Sequence, residues 1–240
     1  MLTIEDLKNI HSGETIFILG NGTRLKDLTQ NEIDTINNGI SIGCNASHLV
    51  FEDTDYFMTG HYVQLLLNHY FGNSKVRIFQ GEPTLDNSLK KTMNVIQTTN
   101  RNVVTHNMSE MIKDINENSN LVGAEQIGFA ATHIAMILGA SRVVYVGFDH
   151  KSTNHFYSFE PFKETIKHQL ESLRETFRGD TFIQEDIDDF GTPSYFNEYY
   201  KTLNQFKDIF HHLKNTYNIT PCTIEANSII AEAGAEVLDL

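Results

Sequence analysis

Short apolar runs closed by glycine or polar residues alternate along this chain with longer segments whose apolar positions recur three or four apart. The first run is TIFILG (15–20), rich in β-branched and aromatic residues, which predicts a strand buried on both faces as in a parallel sheet. Residues 25–37 then place Leu25, Leu28, Ile33 and Ile36 on one helical face. GISIG (39–43), DYFMTG (55–60), KVRIFQ (75–80) and RNVVTHN (101–107) predict further strands, and HYVQLLLNHYF (61–71) a helix ended by Gly72-Asn73. The clearest unit follows. AEQIGFAATHIAMILG (124–139) is a small-residue helix closed by Gly139, and RVVYVGFD (142–149) is a buried strand. Residues 160–178 and 196–217 predict amphipathic helices, EDIDDFGTPS (185–194) an acidic loop, TPCTIEA (220–226) a last strand, and Ser228 the start of a short helix. The polar piece 107–120 reads as a surface loop or short helix.

Helix and strand alternating in this way predict an α/β fold. It is Rossmann-like, with a mostly parallel sheet and helices on both faces. The whole chain, 1–240, reads as one nucleotide-binding domain with a lid or insert over about 150–197.

Composition narrows the partners. With 18 Lys and Arg against 31 Asp and Glu, the net charge is −13, which argues against a nucleic-acid partner, since phosphate backbones call for a clustered cationic face. Only two cysteines occur, Cys44 and Cys222, far apart; that excludes a disulfide scaffold and fits a reducing compartment. No charged-then-apolar leader is visible and no apolar run is long enough for a membrane span, so a cytoplasmic protein is expected, with peripheral membrane contact left open.

Four polar clusters fall at the carboxyl ends of strands, where open α/β sheets bind ligands. Gly20-Asn21-Gly22 follows the first strand; glycines let backbone N–H groups approach a phosphate at a helix N-terminus. Leu25 replaces the third glycine of the dinucleotide fingerprint and no Gly-Lys-Ser/Thr follows, so a tight strand–helix turn explains the glycines equally well. Asn45 ends the second strand, able to read a base or ribose, or simply to tolerate a left-handed turn. Asp149 ends the Gly147-Phe148-Asp149 strand and is able to bind a ribose, hold a metal or cap a turn; Lys151, His155, Tyr157, Phe159 and Glu160 lie just beyond it. Asn227 and Ser228 follow the last strand beside Glu225, and either one serves as a helix cap.

The 11 histidines show no metal-ligand spacing. His133 falls on an apolar helix face and reads as a core residue, whereas His61 and His155 sit where proton transfer is feasible. Cys44 has no cationic partner to activate it and reads as a small core residue.

In their order, these motifs resemble the bacterial lipooligosaccharide sialyltransferases that use CMP-sialic acid. The carrying stretches are GNGTRLK (20–26), Asn45, LGASRVVYVGFD (138–149), the Tyr157/Phe159 pair and TYNITPCTIEANS (216–228). The resemblance implies transfer of a sialic-acid-like sugar from a CMP-linked donor to a glycan acceptor, with no cofactor required, under a mobile lid in a homo-oligomer. It assigns Asn21 and Asn45 to the nucleotide or its phosphate; Gly20, Gly22, Gly128, Asp149, Asn227 and Ser228 complete the expected nucleotide-binding set. Lys151 and Tyr157 would support the departing phosphate, with Lys151 standing where the family has a second tyrosine. Glu160, His155 or an acidic lid residue would be the base. The family's own base, a histidine before the long C-terminal helix, has no counterpart near Tyr200-Lys201, and the family's Ser-Gly pair reads Ile127-Gly128. A more distant similarity, through the strand–GxG–helix start and the LGA…VGFD unit, is to the archaeal-type 6-hydroxymethylpterin diphosphokinases. That would imply ATP and Mg²⁺ held by Asp149 with Glu185, Asp186, Asp188 and Asp189; a catalytically degenerate nucleotide-binding protein is the third reading.

Overall fold

A computed structural model describes residues 3–80, 102–106, 126–149, 154–190 and 199–240. The apolar runs become strands β1 (Thr15–Leu19), β2 (Ile40–Cys44), β3 (Tyr56–Thr59), β4 (Val76–Gln80), β5 (Asn102–His106), β6 (Arg142–Val146), β7 (Thr220–Thr223) and β8 (Glu236–Val237). They form a single sheet in the order β5-β4-β3-β2-β1-β6-β7-β8, and every described pairing is parallel. The chain leaves β1 toward β5 on one side, then returns to β6 on the other. The switch point therefore lies between β1 and β6, where Ile16 pairs Val143 and Leu19 pairs Val146.

Alternation along the central strands feeds two cores. Ile16 and Ile18 of β1, with Val143 and Tyr145 of β6, face helices α3 (Ile127–Leu138), α6 (Tyr199–His212) and α7 (Ile229–Glu232). Phe17, Leu19, Val144 and Val146 face the opposite layer, built from α1 (Gln30–Asn37), α2 (Tyr62–Phe71), α4 (Phe162–Thr176) and α5 (Thr181–Asp188). Each fully buried aliphatic side chain stabilises the fold by roughly 1.5–3 kcal/mol, so loss of either layer is incompatible with folding.

Several boundaries differ from those the sequence pattern predicts. The helix expected over 25–37 is a 3-10 turn (Thr23–Asp27) followed by α1. A capping box resets its start: the Thr29 hydroxyl accepts from Glu32 N–H, and the Glu32 carboxylate accepts from Thr29 N–H at 2.7 Å. The acidic loop expected from 185 is part of a helix, α5. Asp180 caps it by accepting from Ile183 N–H at 3.3 Å, and Ile183 and Ile187, one turn apart, are buried. The last long helix ends at His212 and continues as a π turn (Leu213–Tyr217), stopped by Asn218 at φ 55°. Gly139 closes α3 in the left-handed region at φ 89°, as its position predicts. Between β6 and β7, α4 and α5 pack on α2 and bury Ile166, Leu173, Ile183 and Ile187 in the second core. Residues 107–120 and 191–194 lie outside the described residues.

Candidate functional site

The loops leaving β1, β2, β3, β6 and β7 are joined into one rim by side-chain and backbone hydrogen bonds. Asn21 makes the β1–β2 link. Its Nδ2 donates to Cys44 O at 3.3 Å, and its Oδ1 accepts from Ala46 N–H at 3.1 Å. Asn45 adopts the left-handed conformation, φ 50°, and its Oδ1 accepts from the Thr59 hydroxyl at 2.8 Å, extending the rim to β3. On the other side Gly20 N–H donates to Val146 O and Gly22 N–H to Gly147 O, both at 2.7 Å. Asp149 accepts from Thr23 N–H at 2.9 Å and from the Thr23 hydroxyl. Glu225, beyond β7, accepts from Gly147 N–H.

The glycines of the first turn are used by the protein itself. A Cβ on Gly20 would lie 2.4 Å from Gly147 O, and one on Gly22 would lie 2.6 Å from Asp149 Oδ1 and 2.7 Å from Gly147 O. A Cβ on Gly128, at the start of α3, would lie 2.5 Å from the Phe148 ring. Close approach between the β1 and β6 turns, with Phe148 filling the gap toward α3, accounts for these three glycines. The tight-turn reading of Gly20-Asn21-Gly22 is thus realised, and ligand contact is not needed to explain it.

The segment after Asp149 folds back over Asn21. Phe156 N–H donates to Asn21 O at 3.1 Å, and the His155 ring also hydrogen-bonds the Asn21 backbone. Burial holds the His155 imidazole below its ordinary value, against that bond and the nearby Asp149 charge, so the neutral ring dominates at neutral pH. His155 stacks on Tyr157 with ring centroids 5.0 Å apart. Tyr157 is buried, packs against Phe190, and burial drives its hydroxyl well above the usual phenol range, so it stays a neutral donor. Glu160 is exposed, as is Phe159, whose ring lies 5.4 Å below Lys26 Nζ. Lys151 lies outside the described residues.

At the β7 end, Ser228 is the cap of α7. Its hydroxyl accepts from Ala231 N–H at 3.2 Å and donates to Glu225 O at 2.7 Å, while Asn227 is exposed. Glu225, which the sequence places in this last polar cluster, has a role that the sequence does not assign. Its carboxyl is buried, its Oε2 has no hydrogen-bond partner, and burial first, reinforced by the Asp149 charge, pushes its pKa up to about 7. The available signal is an acidic residue directly after the strand-forming stretch Cys222-Thr223-Ile224.

Of the remaining candidates, His61 and Cys44 border the rim through backbone groups only: His61 N–H donates to the Thr59 hydroxyl at 3.0 Å, and Cys44 O accepts from Asn21. His61 is exposed ahead of α2, His133 is buried inside α3, and both cysteines are buried with thiols raised by desolvation. In the acidic run, Asp186 accepts from Val63 N–H at 2.9 Å, and Asp188 pairs with Arg174 at 2.7 Å. Among the described residues no three His, Cys, Asp or Glu side chains are grouped to hold a metal ion, and no helix is long and apolar enough to cross a membrane. Comparison with known protein families and with curated proteins gives no match to this chain.

Proposed function

We propose that this protein is a glycosyltransferase that moves a sialic-acid-like sugar from a nucleotide-activated donor, CMP-linked, to a glycan acceptor. The observation that carries the reading is Asn21. One amide bridges the β1 and β2 turns at the edge of the sheet's switch point, directly beneath the segment that carries His155 and Tyr157. Ligands of parallel α/β sheets bind at this edge. Among the stretches that resemble the CMP-sialic acid enzymes, Gly20-Asn21-Gly22, Asn45 and Gly147-Phe148-Asp149 contribute to this rim, which supports the reading.

In this reading the chemistry is direct displacement at the anomeric carbon. A neutral, half-buried His155 accepts the acceptor's proton, and Tyr157 donates toward the departing phosphate. Asp149 and Asn45 hold the nucleoside end, and the glycan acceptor approaches from the side of the His155–Tyr157 turn. The diphosphokinase alternative gains no support from the acidic run, because Asp186 and Asp188 already serve α2 and Arg174.

Thermal unfolding in a panel of CMP, CDP, UDP, ATP with Mg²⁺, and a pterin tests the proposal through ligand linkage. Stabilisation by CMP, with donor turnover that survives EDTA, is the expected result. Stabilisation by ATP only with Mg²⁺ overturns it in favour of diphosphate transfer. Stabilisation by CMP without turnover of a CMP-linked sugar leaves a nucleotide-binding protein with no transferase activity.

A further inference from the structure

Resting on the nucleotide reading above, we propose that Glu225 is the positioning residue of the β1–β6 crossing, and that binding of an anionic nucleotide there draws a proton from solvent onto the Glu225 carboxylate. The geometry runs through one peptide. Gly147 gives its N–H to Glu225 and its carbonyl to Gly22 N–H, so the carboxyl sets Gly147 and Gly147 sets the turn that carries Asn21. Gly147 sits at φ 77°, a conformation that side-chain-bearing residues rarely adopt, so a glycine is called for where the carboxyl anchors this peptide.

The second carboxyl oxygen is the unusual feature. Glu225 Oε2 is shut off from solvent and accepts no hydrogen bond. An ionised carboxylate is poorly tolerated with one bare oxygen in such a place, whereas the neutral acid is accommodated. The charges that face it are Asp149 at the end of β6, which disfavours ionisation, and Arg24 in the turn after β1, which favours it. On its own side the neighbours are uncharged: the Thr223 hydroxyl accepts from Glu225 N–H at 3.1 Å, and Ser228 bonds the Glu225 carbonyl. Burial outweighs the opposing Gly147 bond and the weaker pull of the nearby Phe148 N–H, leaving the group balanced at about pH 7. A phosphate entering the same rim adds a second negative charge and tips that balance toward the protonated form. A glutamine at this position would hold Gly147 equally well; what the carboxyl adds is the titration.

Calorimetry of CMP binding to the full chain and to Glu225→Gln, across neutral pH and in buffers of differing ionisation enthalpy, tests this. Wild type should take up a fraction of a proton per CMP, and its affinity should fall by up to about tenfold per pH unit above neutrality relative to the variant. The phosphate's own ionisation is common to both proteins and cancels in the difference. Equal pH slopes and equal proton uptake overturn the proposal. If Glu225→Gln fails to fold, proton uptake by wild type decides alone, and none in excess of the phosphate's own contribution overturns it. If no nucleotide binds at all, the nucleotide reading fails and with it the coupling. The proton on Glu225 then stands or falls by ligand-free unfolding. With its folded pKa raised above 4.5, wild type should lose stability relative to Glu225→Gln as pH rises from 4.5 through about 7, and no further; parallel curves overturn it.

Discussion

The Phe148 ring lies over Gly128, so that a Cβ at residue 128 would come within 2.5 Å of ring carbon Cε1 and 3.1 Å of Cζ. Phe148 is itself buried, in edge-to-face contact with Tyr145 at 5.6 Å, and cannot swing away freely. Gly128→Ala is therefore expected to destabilise the protein by about 1–3 kcal/mol through overpacking. Gly20→Ala should cost more, because its Cβ meets the Gly147 carbonyl at 2.4 Å and backbone cannot yield as a ring can. Urea unfolding midpoints of the two variants check both the sign and the order.

Asn21 supplies both halves of an amide to the neighbouring turn, donating to Cys44 O and accepting from Ala46 N–H. Asn21→Asp keeps the acceptor but turns an oxygen toward the Cys44 carbonyl. The expected loss is about 1–3 kcal/mol, the cost of an unmatched polar group in a partly buried place. Any CMP-induced rise in melting temperature should vanish along with it. A variant with wild-type stability and an undiminished CMP shift would show that Asn21 neither ties the turns together nor serves the ligand.

Much of this architecture is legible in residue order. TIFIL, ISIGC and RVVYV have no polar face, which requires helices on both sides of their sheet, and Gly139 marks the end of α3 by its freedom at positive φ. The rim is legible only in outline. Asn21, Asn45 and Asp149 can be placed at strand ends from sequence, but their partners Ala46, Thr59 and Thr23 depend on strand order, which local pattern does not carry. Glu225 is visible in the last polar cluster, but its role is not, because a lone acid after a strand usually meets water; only the packing of the β6 turn over it removes that water. In the acidic segment near 185 the abundance of charge masked Ile183 and Ile187, the one pair of positions that makes it a helix.

That helix has a task at the neighbouring one. The first turn of α2 has no side-chain cap of its own, since His61 makes none, and Asp186 supplies the acceptor for Val63 N–H from α5. Asp186→Ala should destabilise the fold by about 1 kcal/mol, the usual worth of a lost N-terminal cap, while Asp186→Asn should recover most of it. Chemical denaturation of the two variants makes the comparison. Equal losses for Ala and Asn would mean that charge on the helix dipole, rather than the hydrogen bond, is what α5 contributes.

Arg77 presents a different kind of buried charge. It lies in β4 with no solvent exposure, and its guanidinium donates to Ser74 O at 2.8 Å and Asn68 O at 3.0 Å, the latter a carbonyl in the last turn of α2. A cation is favourable at a helix C-terminus, and the planar fork reaches two carbonyls that a lysine cannot reach together. Arg77→Met and Arg77→Lys should both lower stability by about 2–4 kcal/mol, the lysine variant no less than the methionine. Full rescue by lysine, read from unfolding midpoints, would reduce the role of Arg77 to charge alone.

Helix α4 is coupled to the rim through a histidine whose protonation state matters. His48, in the turn directly after Asn45, is buried, and its Nε2 is 2.9 Å from Gln169 Oε1 on α4. Desolvation holds its pKa below the usual value of 6.5, despite the bonds to Gln169 and the Asn45 backbone that favour the charged ring. For a depressed imidazole the unfolded chain binds the proton more readily. The stability that His48 contributes is therefore complete above pH 6.5 and is lost as pH falls through the lower, folded value. Unfolding midpoints of wild type should decline in mild acid, and those of His48→Gln, which keeps a donor for Gln169 and cannot titrate, should decline less. Since α4 packs on α2 and on the turn that carries His48, hydrogen exchange in α4 should rise with the same pH dependence in wild type. Identical acid profiles for the two proteins would place the acid sensitivity elsewhere and detach α4 from the protonation state of the β2 turn.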